Sequence, residues 1–355
     1  MPQRPPSAPR AIAIVGPYQS GKTTLLEALL ATTGATDQRG RVADGNAVGD
    51  RQAEARAHQM GVELNVARVT WLGDTYTFLD CPGSIEFAQD GLDALSVVDA
   101  AVVVCEPLPE KAVTLAPLLH DLDARAIPHV IFINRIDTTQ TRVKDVLEAL
   151  RAVSQRPLVL REVPIREHGE VRGFVDLVSE RAWRFRPGRH SEPIDLPPTL
   201  ATEERAAREQ LIEALADFDD GLLEQVLEDV MPSRDELYSQ LARDFEQDLL
   251  VPVLFGSAER NAGIWRLLKL LRHETPEPSV TARRLHIDPE GPGLAARVFK
   301  TEHVQHVGKL SIVRVWRGTL DSGSLAPNGG DEVRIGGLSS LTGQSREKVD
   351  AAQAG

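Results

Sequence analysis

The sequence predicts an α/β protein in which a wound, mainly parallel sheet carries an α+β insertion and is followed by a smaller β-rich segment. Short apolar runs alternate with stretches of helical periodicity, the runs being "AIAIV", "AAVVVC" and "HVIFIN"; buried parallel strands and their connecting helices have this pattern. The alternation stops near residue 157 and resumes with "LVPVLFGSA", which indicates an insertion before the last strand of the sheet. β-like runs with glycine turns follow the proline-rich "TPEPSV", and they suggest a small barrel.

These boundaries predict four parts. They are a disordered tail over residues 1–10, a first domain over 11–275 with its insertion at about 157–250, a linker over 276–290, and an incomplete β-barrel domain over 291–355. A barrel that stopped at residue 355 would leave strand edges uncovered, so we expect a longer reading frame to complete it.

Local signals place individual elements. "KTTLLEALLATTG" puts its leucines on one helical stripe that ends at Gly34. The Gly73-Asp74 step gives the turn signal between "VARVTWL" and "TYTFLD". "LVLREVPI" has the pattern of one strand. Ser233 and Glu236 have the spacing of a capping box. Residues 37–60 are polar with scattered glycine, which predicts a long loop.

Composition excludes several classes of protein. The chain has 355 residues, of which 42% are hydrophobic and 26% charged, and this is a globular composition. Its two cysteines, Cys81 and Cys105, are too few for a disulfide framework and suit a reducing cytosol. No apolar run approaches the length of a membrane span. The formal charge of −12 argues against unspecific binding to a phosphate backbone. We therefore expect a soluble, cytoplasmic protein with no membrane partner.

A phosphate-binding loop is predicted between the first strand and the first helix. "GPYQSGKT" has Gly16, four further residues, then Gly21, Lys22 and Thr23. This spacing supplies inward backbone N–H groups, a helix N-terminus, a lysine for the β- and γ-phosphates and a hydroxyl for Mg²⁺. The predicted nucleotide contacts are Gly16, Gln19, Ser20, Gly21, Lys22, Thr23 and Thr24. A glycine-rich turn that only caps a helix is the alternative; the strand–loop–helix context disfavours it, and the fold is predicted to be that of a P-loop NTPase.

A second motif follows the strand "TYTFLD". In Asp80-Cys81-Pro82-Gly83 the carboxylate of Asp80 can hold a Mg²⁺ water, and the N–H of Gly83 can approach a γ-phosphate. Thr23 and Asp80 are therefore the predicted metal ligands. Ser84 comes directly after this motif.

Two further motifs point to a guanine base. A carboxylate at Asp137 can accept hydrogen bonds from guanine N1 and N2, and adenine would leave such a buried acceptor unpaired. Asn134 supplies an amide, and the stem of Arg135 can pack on the base. The Ser257-Ala258 step after the last strand would offer a backbone N–H to guanine O6.

The four motifs in this order resemble the N-terminal half of elongation factor G and of elongation-factor-G-like translational GTPases. The resemblance extends to the insertion with "GFVDLV", to "LVPVLFGSAERNAGI" and to the barrel segment "VGKLSIVRVWRGTLDSGS". It implies that the chain is a monomer that binds GTP and GDP, with Mg²⁺ as the metal. It also implies the ribosome as partner, through both its rRNA and its proteins. It also implies catalytic roles for Lys22, Asp80, Gly83 and the residue at position 84.

The chain departs from the family's pattern where water is handled. Elongation factor G has His at the place of Ser84, and a serine is too short to hold water in the same position. The family's Mg²⁺-binding Thr falls on Gly61 or Glu63, and neither has a hydroxyl. Gln19 and Pro17 replace an acidic residue and a His. We therefore predict GTP hydrolysis that is slow, the loss of a water-positioning group costing about 10²- to 10⁴-fold. A nucleotide-gated binding switch with little turnover is the alternative.

Overall fold

The structure is a computed structural model that describes residues 8–48, 61, 63–186, 188–304, 308–328, 331–342 and 345–355. Two compact units divide the chain. The first contains the chain up to Val15, Thr33–Ala100 and Pro276–Gly355; the second contains Gly16–Thr32 and Ala101–Thr275. The predicted tail falls mostly outside the described residues, as does much of the predicted loop at 37–60.

The strands and helices of the described residues are numbered in chain order. The strands are β1 Arg10–Val15, β2 Asn65–Trp71, β3 Asp74–Asp80, β4 Ala100–Cys105, β5 His129–Ile133, β6 Leu158–Leu160, β7 Glu162–Glu167, β8 Glu170–Asp176, β9 Arg181–Arg186, β10 Arg189–Ile194, β11 Val251–Phe255, β12 Ala295–Val304, β13 Gly308–Arg317, β14 Thr319–Asp321, β15 Leu325–Asn328, β16 Asp331–Arg334, β17 Leu338–Thr342, β18 Ser345–Val349 and β19 Ala351–Gln353. The α-helices are α1 Lys22–Thr33, α2 Ala88–Leu95, α3 Ala116–Ala124, α4 Val143–Arg151, α5 Ala201–Ala216, α6 Asp220–Leu227, α7 Arg234–Glu246, α8 Ile264–Glu274 and α9 Pro278–Arg284.

The first unit contains the hairpin β2–β3 and the strand β1. Strand β1 runs parallel to β3, and β2 runs antiparallel to it. A turn joins the two strands as predicted, but it lies one residue earlier, at Leu72 and Gly73, and Asp74 is the first residue of β3. Leu72 and Gly73 have φ of 52° and 86°, and a two-residue turn with both φ values positive matches the twist of the flanking strands. Asp80, the last residue of β3, is paired in register with Asn65.

The β-rich segment of the first unit consists of antiparallel pairs: β12 with β13, β14 with β19, β15 with β16, and β17 with β18. Its hydrophobic cluster contains the buried Val315, Leu320 and Ala326. A buried ion pair attaches it to the rest of this unit, since Arg314 Nη2 donates to both oxygens of Asp99 at 2.9 and 2.7 Å. Asp99 also accepts from Ala11 N at 2.7 Å and from Thr281 Oγ1 at 2.6 Å.

The second unit contains four parallel strands in the order β4-β5-β11-β6. β4, β5 and β11 are buried along their whole length, which is why their sequences are continuous apolar runs. The leucine stripe predicted for α1 is confirmed, because Leu25, Leu26, Leu29 and Leu30 are all buried. Gly34 has φ of 74°, the left-handed conformation expected at a helix end.

The insertion has its own antiparallel sheet in the order β10-β9-β8-β7. Helices α5, α6 and α7 pack their apolar residues with this sheet, and Leu215, Leu237 and Leu241 lie in the shared core. The capping box that starts α7 is confirmed: Ser233 Oγ accepts from Glu236 N, and Glu236 Oε2 accepts from Ser233 N.

Two segments differ from the sequence prediction. "LVLREVPI" forms two strands, because β6 joins the parallel sheet and β7 joins the insertion sheet, with the fully buried Arg161 between them. The segment 276–290, predicted as a linker, contains helix α9; Pro278 at its first turn has the backbone angle that a helix start needs. None of the described helices has the length and apolar character to cross a membrane.

Candidate nucleotide-binding site

The phosphate loop of the second unit is closed by its own backbone and by Lys22. Ser20 N donates to Pro17 O at 3.3 Å, and Lys22 Nζ donates to the same carbonyl at 2.8 Å. Gln19 has a positive φ of 62°, which turns the loop sharply before the helix. Leu25 N donates to Gly21 O at 2.9 Å, so α1 begins directly after the loop. The result is a tight loop with a helix N-terminus behind it, the arrangement that binds phosphate groups.

The two glycines of the loop are required by close packing. A Cβ on Gly16 would lie 2.2 Å from the carbonyl oxygen of Val104, and a Cβ on Gly21 would lie 2.4 Å from Nδ2 of Asn134. Both residues also have positive φ, 143° and 92°. Any side chain at either place would push the loop away from β4 or from the Asn134 amide.

Asn134 joins the phosphate loop to the loop that follows β11. Its Nδ2 donates to Ser20 O at 3.0 Å, and its Oδ1 accepts from Ala258 N at 2.9 Å. The side chain is buried, so both bonds are shielded from water and each contributes to fixing the loops. The Ala258 N–H, predicted to donate to guanine O6, donates to Asn134 in this structure. Its assignment to the base therefore stays a prediction.

Asp137 presents one carboxylate oxygen that has no hydrogen-bond partner within the described residues. Its Oδ2 lies 2.9 Å from Nε of Arg260, and its Oδ1 is buried and unpartnered. A buried acceptor without a donor is costly, typically by about 1–3 kcal/mol. The Asp137 carboxylate is thus arranged to accept a donor from a ligand.

Arg135 is held by an acidic residue from the end of β4. Its Nη1 donates to Glu106 Oε1 at 3.0 Å, and Glu106 also pairs with Lys111. Arg135 has a positive φ of 58°, so the backbone between Asn134 and Ile136 turns sharply. Ile136 N then donates to Gly256 O at 3.2 Å, which ties this turn to the end of β11.

The residues of the second predicted motif, Asp80 to Gly83, and the following Ser84 belong to the first unit. Asp80 is buried at the end of β3, and the next residue, Cys81, donates its N–H to Ile14 O at 3.0 Å. Gly83 is half-buried. Ser84 Oγ accepts from Glu86 N at 3.4 Å, and its carbonyl accepts from Phe87 N at 3.1 Å. The Ser84 side chain therefore starts a short turn, which is a local structural role.

Gly61 and Glu63, the two candidates for the place of the family's Mg²⁺-binding Thr, lie shortly before β2. Leu64 N, directly after Glu63, donates to Oδ2 of Asp90 on α2 at 3.1 Å. Most of the loop before Gly61 lies outside the described residues.

The structure brings the phosphate loop, Asn134, Asp137 and the Ser257-Ala258 step together in the second unit; Asp80, Gly83 and Ser84 lie in the first. Sequence reasoning missed Arg260 and Glu106 as partners of the predicted base-binding residues. Arg260 stands two residues after Ala258, so its place on the same loop was a signal. Nothing in the sequence marks Glu106, because its partner Arg135 lies 29 residues away.

The residues present fit a guanine nucleotide with Mg²⁺. The unpartnered Asp137 Oδ1 is an acceptor of the kind guanine requires, and the buried Ser20 Oγ in the phosphate loop likewise has no partner within the described residues. The hydroxyl of Thr23, in the same unit, is an oxygen ligand of the kind that Mg²⁺ prefers.

The fold and these motifs define the class of P-loop GTPases. The family described as "Elongation factor Tu GTP binding domain" matches residues 8–277, and the chain belongs to this family. The predicted fold class and the predicted resemblance are thereby confirmed.

The chain is similar in sequence to two elongation-factor-G-type proteins and in structure to one solved protein. The chain is 44% identical over 348 residues to an "Elongation factor G-like protein" of Synechocystis sp., which covers 98% of this chain and 51% of the relative. It is 29% identical over 370 residues to "Elongation factor G 1" of Geobacter sulfurreducens, covering 99% and 53%. A crystal structure of a Thermus thermophilus protein matches with a TM-score of 0.87 at 30% identity, covering 98% of this chain and 51% of that one. The chain spans about half the length of the curated relatives it matches.

Proposed function

We propose that this chain binds GTP and GDP with Mg²⁺ and hydrolyses GTP to GDP and phosphate, slowly, in association with the ribosome. The observation that carries the proposal is the Asn134 amide, which joins the phosphate loop to the Ala258 loop. Asp137, three residues further on, has a carboxylate oxygen to which no described residue donates. A cytoplasmic location is part of the proposal, since both cysteines are free thiols.

The proposed roles divide between phosphate and base. Lys22 and the N–H groups at the start of α1 would stabilise charge on the phosphates. Asp137 would accept from guanine N1 and N2, with Asn134 fixing the loops around the base. Thr23 and Asp80 would hold Mg²⁺, which neutralises charge on the β- and γ-phosphate oxygens when bound. Gly83 would donate its N–H to the γ-phosphate.

A second candidate is a nucleotide-gated binding switch with little turnover. The hydroxyl oxygen of Ser84 already accepts a hydrogen bond from Glu86 N, and neither Gly61 nor Glu63 offers a hydroxyl. Both features favour a protein that binds GTP without positioning the attacking water.

Single-turnover hydrolysis of GTP, with and without 70S ribosomes, tests the proposal. We expect tight binding of GTP, a slow rate for the chain alone and a faster rate with ribosomes. Tight binding with rates equal to the enzyme-free background in both conditions would support the switch. Failure to bind guanine nucleotides at all would refute both candidates.

A further inference from the structure

Three polar side chains meet at the opposite end of the second unit's parallel strands from the candidate nucleotide site. Asp123 lies in the last turn of α3, His129 is the first residue of β5, and Asp248 precedes β11. They are 8%, 0% and 1% exposed. Asn134 follows the far end of β5, which at about 3.3 Å per residue is on the order of 15 Å away. This cluster is therefore separate from the nucleotide-binding residues.

The hydrogen bonding of the cluster is incomplete. His129 Nδ1 lies 3.0 Å from the carbonyl oxygen of Ile127; because a carbonyl only accepts, Nδ1 must carry the hydrogen. His129 Nε2 is then the open ring nitrogen, and it has no hydrogen-bond partner within the described residues. Oδ1 of Asp248 is also buried there without a partner, and the Asp123 carboxylate accepts from the backbone N–H of Gln155. Two buried polar atoms of this cluster, His129 Nε2 and Asp248 Oδ1, thus have no hydrogen-bond partner among the described residues, which is uncommon in folded proteins.

The distances in the cluster are too long for direct hydrogen bonds. His129 Nε2 lies 4.0 Å from Asp123 Oδ1, and Nδ1 lies 3.6 Å from Asp248 Oδ1. One ligand atom from each of the three residues lies within 4.8 Å of the other two. Ligands bound at 2.0–2.2 Å to one tetrahedral zinc ion are about 3.4 Å apart, so ligand atoms as far as 4.8 Å apart would have to approach each other by up to about 1.4 Å to share one ion.

We propose that Asp123, His129 and Asp248 bind one divalent transition-metal ion, for which Zn²⁺ is the probe. An imidazole nitrogen with two carboxylate oxygens is a donor set that zinc accepts. The bond from Nδ1 to Ile127 O leaves Nε2 as the ring nitrogen for the ion, as carbonyl partners do for metal-binding histidines. Asp248, whose Oδ1 lies 3.6 Å from Nδ1, would have to turn toward Nε2 when the ion binds. The ion would connect the end of α3, the start of β5 and the segment before β11, and would stabilise the second unit.

Arg156 places a positive charge beside both carboxylates of the proposed metal site. Its Nη2 lies 3.2 Å from Asp248 Oδ2, which leaves Oδ1 for the ion, and its Nε lies 4.0 Å from Asp123 Oδ1. The competing arrangement has no metal: Arg156 alone, through Nη2 and Nε, would supply the positive charge beside the two carboxylates. The experiment must separate these two arrangements.

The test uses the untagged full chain, because a histidine tag binds zinc. After equilibration with Zn²⁺ and removal of excess, metal analysis should give about one zinc per chain. Competition titration should show Asp123→Asn and Asp248→Asn each weakening the site at least tenfold, whereas Asp121→Asn, on the same helix but paired with Arg125, binds as wild type. Zinc should also raise the thermal midpoint of wild type and of Asp121→Asn, and leave the two ligand variants unchanged.

A wild-type measurement covers the case in which the variants do not fold. X-ray absorption of the bound zinc should show one imidazole ligand together with oxygen ligands. Substoichiometric zinc, equal affinities for wild type and both ligand variants, or a zinc shell without imidazole would each overturn the proposal. Substoichiometric zinc would also favour the arrangement without metal.

Discussion

At the scale of single residues, the Asp137 carboxylate carries the specificity of the proposed site. It can select guanine only if both of its oxygens face the base. A carboxylate that nothing holds rotates about its bond to Cβ, so it would not keep this orientation. Arg260 Nε holds Oδ2 at 2.9 Å, which fixes the plane of the group while Oδ1 stays open. Since a carboxylate oxygen has two lone pairs, Oδ2 can accept from Arg260 and from the base together.

We predict that Arg260→Ala reduces the preference for GTP over ITP by about 3- to 10-fold, the range expected when one charge-assisted hydrogen bond is partly lost. Inosine lacks the 2-amino group, so the ratio of the two dissociation constants reports how well both oxygens meet the base. Arg142→Ala removes a comparable exposed pair with Asp145 and should leave the ratio unchanged. If wild type prefers GTP and Arg260→Ala has the same ratio, Arg260 does not orient the carboxylate.

Ser84 supports a second prediction at this scale. Its hydroxyl oxygen accepts from Glu86 N, and a serine cannot reach as far as an imidazole. Ser84→His should therefore raise ribosome-stimulated hydrolysis by at least about 10-fold, because a water-handling group contributes about 10²- to 10⁴-fold. Single-turnover rates measure this, with Ser84→Ala as the control that removes the turn contact and adds no imidazole. Equal rates for Ser84→His and Ser84→Ala would mean that another group places the water.

The sequence predicted those site residues whose role depends on local chain geometry. Gly16 and Gly21 are predicted from a loop that must approach phosphate closely, and the structure adds a second reason for both, because a Cβ would meet Val104 O or Asn134 Nδ2. The partners Arg260 and Glu106 were missed because a pairing between distant segments depends on the tertiary fold. The use of the Ala258 N–H by Asn134 was missed for the same reason.

At the scale of elements, long apolar runs were predictable and the breaks between sheets were not. β4, β5 and β11 follow from hydrophobicity alone. The division of "LVLREVPI" at Arg161 depends on Glu274. The guanidinium of Arg161 donates to both oxygens of Glu274, at 2.7 and 3.0 Å, inside the core. The two prolines of "TPEPSV" predict a linker where the structure has helix α9. The buried Thr281 of this helix donates to Asp99, a tertiary contact that the sequence does not show.

The junction between β7 and β11 contains a carboxylate whose protonation should affect stability. Glu162 Oε1 accepts from Phe255 N at 3.0 Å, and Oε2 lies 3.9 Å from Arg266 Nε. Burial raises the pKa of Glu162 from 4.5 to about 7, with Arg266 opposing the shift. The folded state therefore binds more protons than the unfolded state between these two values, and the stability due to this group is lost as the pH rises through that window.

We predict that Glu162→Gln gains stability relative to wild type between pH 5 and pH 8, by on the order of 2–3 kcal/mol. Glutamine does not ionise, so the free energy of unfolding of the variant does not fall with rising pH through this group. Urea unfolding at several pH values gives the difference in free energy of unfolding, and Glu148→Gln on the exposed face of α4 should show a flat difference. A difference for Glu162→Gln that is constant with pH would place the Glu162 pKa near that of an ordinary glutamate.

At the scale of the whole molecule, the proposed nucleotide contacts are divided between the two units. The phosphate loop and Asp137 lie in the second, and Asp80 and Gly83 in the first. The order of motifs along the chain predicted the family, because each motif is short and local. The division into units was not predictable, since the first unit combines three separate stretches of chain.

Nucleotide binding should stabilise the folded chain with base specificity, because the ligand binds the folded state and not the unfolded one. We predict that GTP or GDP with Mg²⁺, at 100 times its dissociation constant, adds about 2.7 kcal/mol to the free energy of unfolding. ATP at the same concentration should add nothing measurable, because adenine offers no donor pair to the Asp137 carboxylate. Asp137→Asn replaces one acceptor with a donor, so xanthosine triphosphate should stabilise this variant more than GTP does. Unfolding in urea with each nucleotide measures all three effects. If ATP and GTP stabilise wild type equally, the phosphate loop binds nucleotides and Asp137 does not select the base.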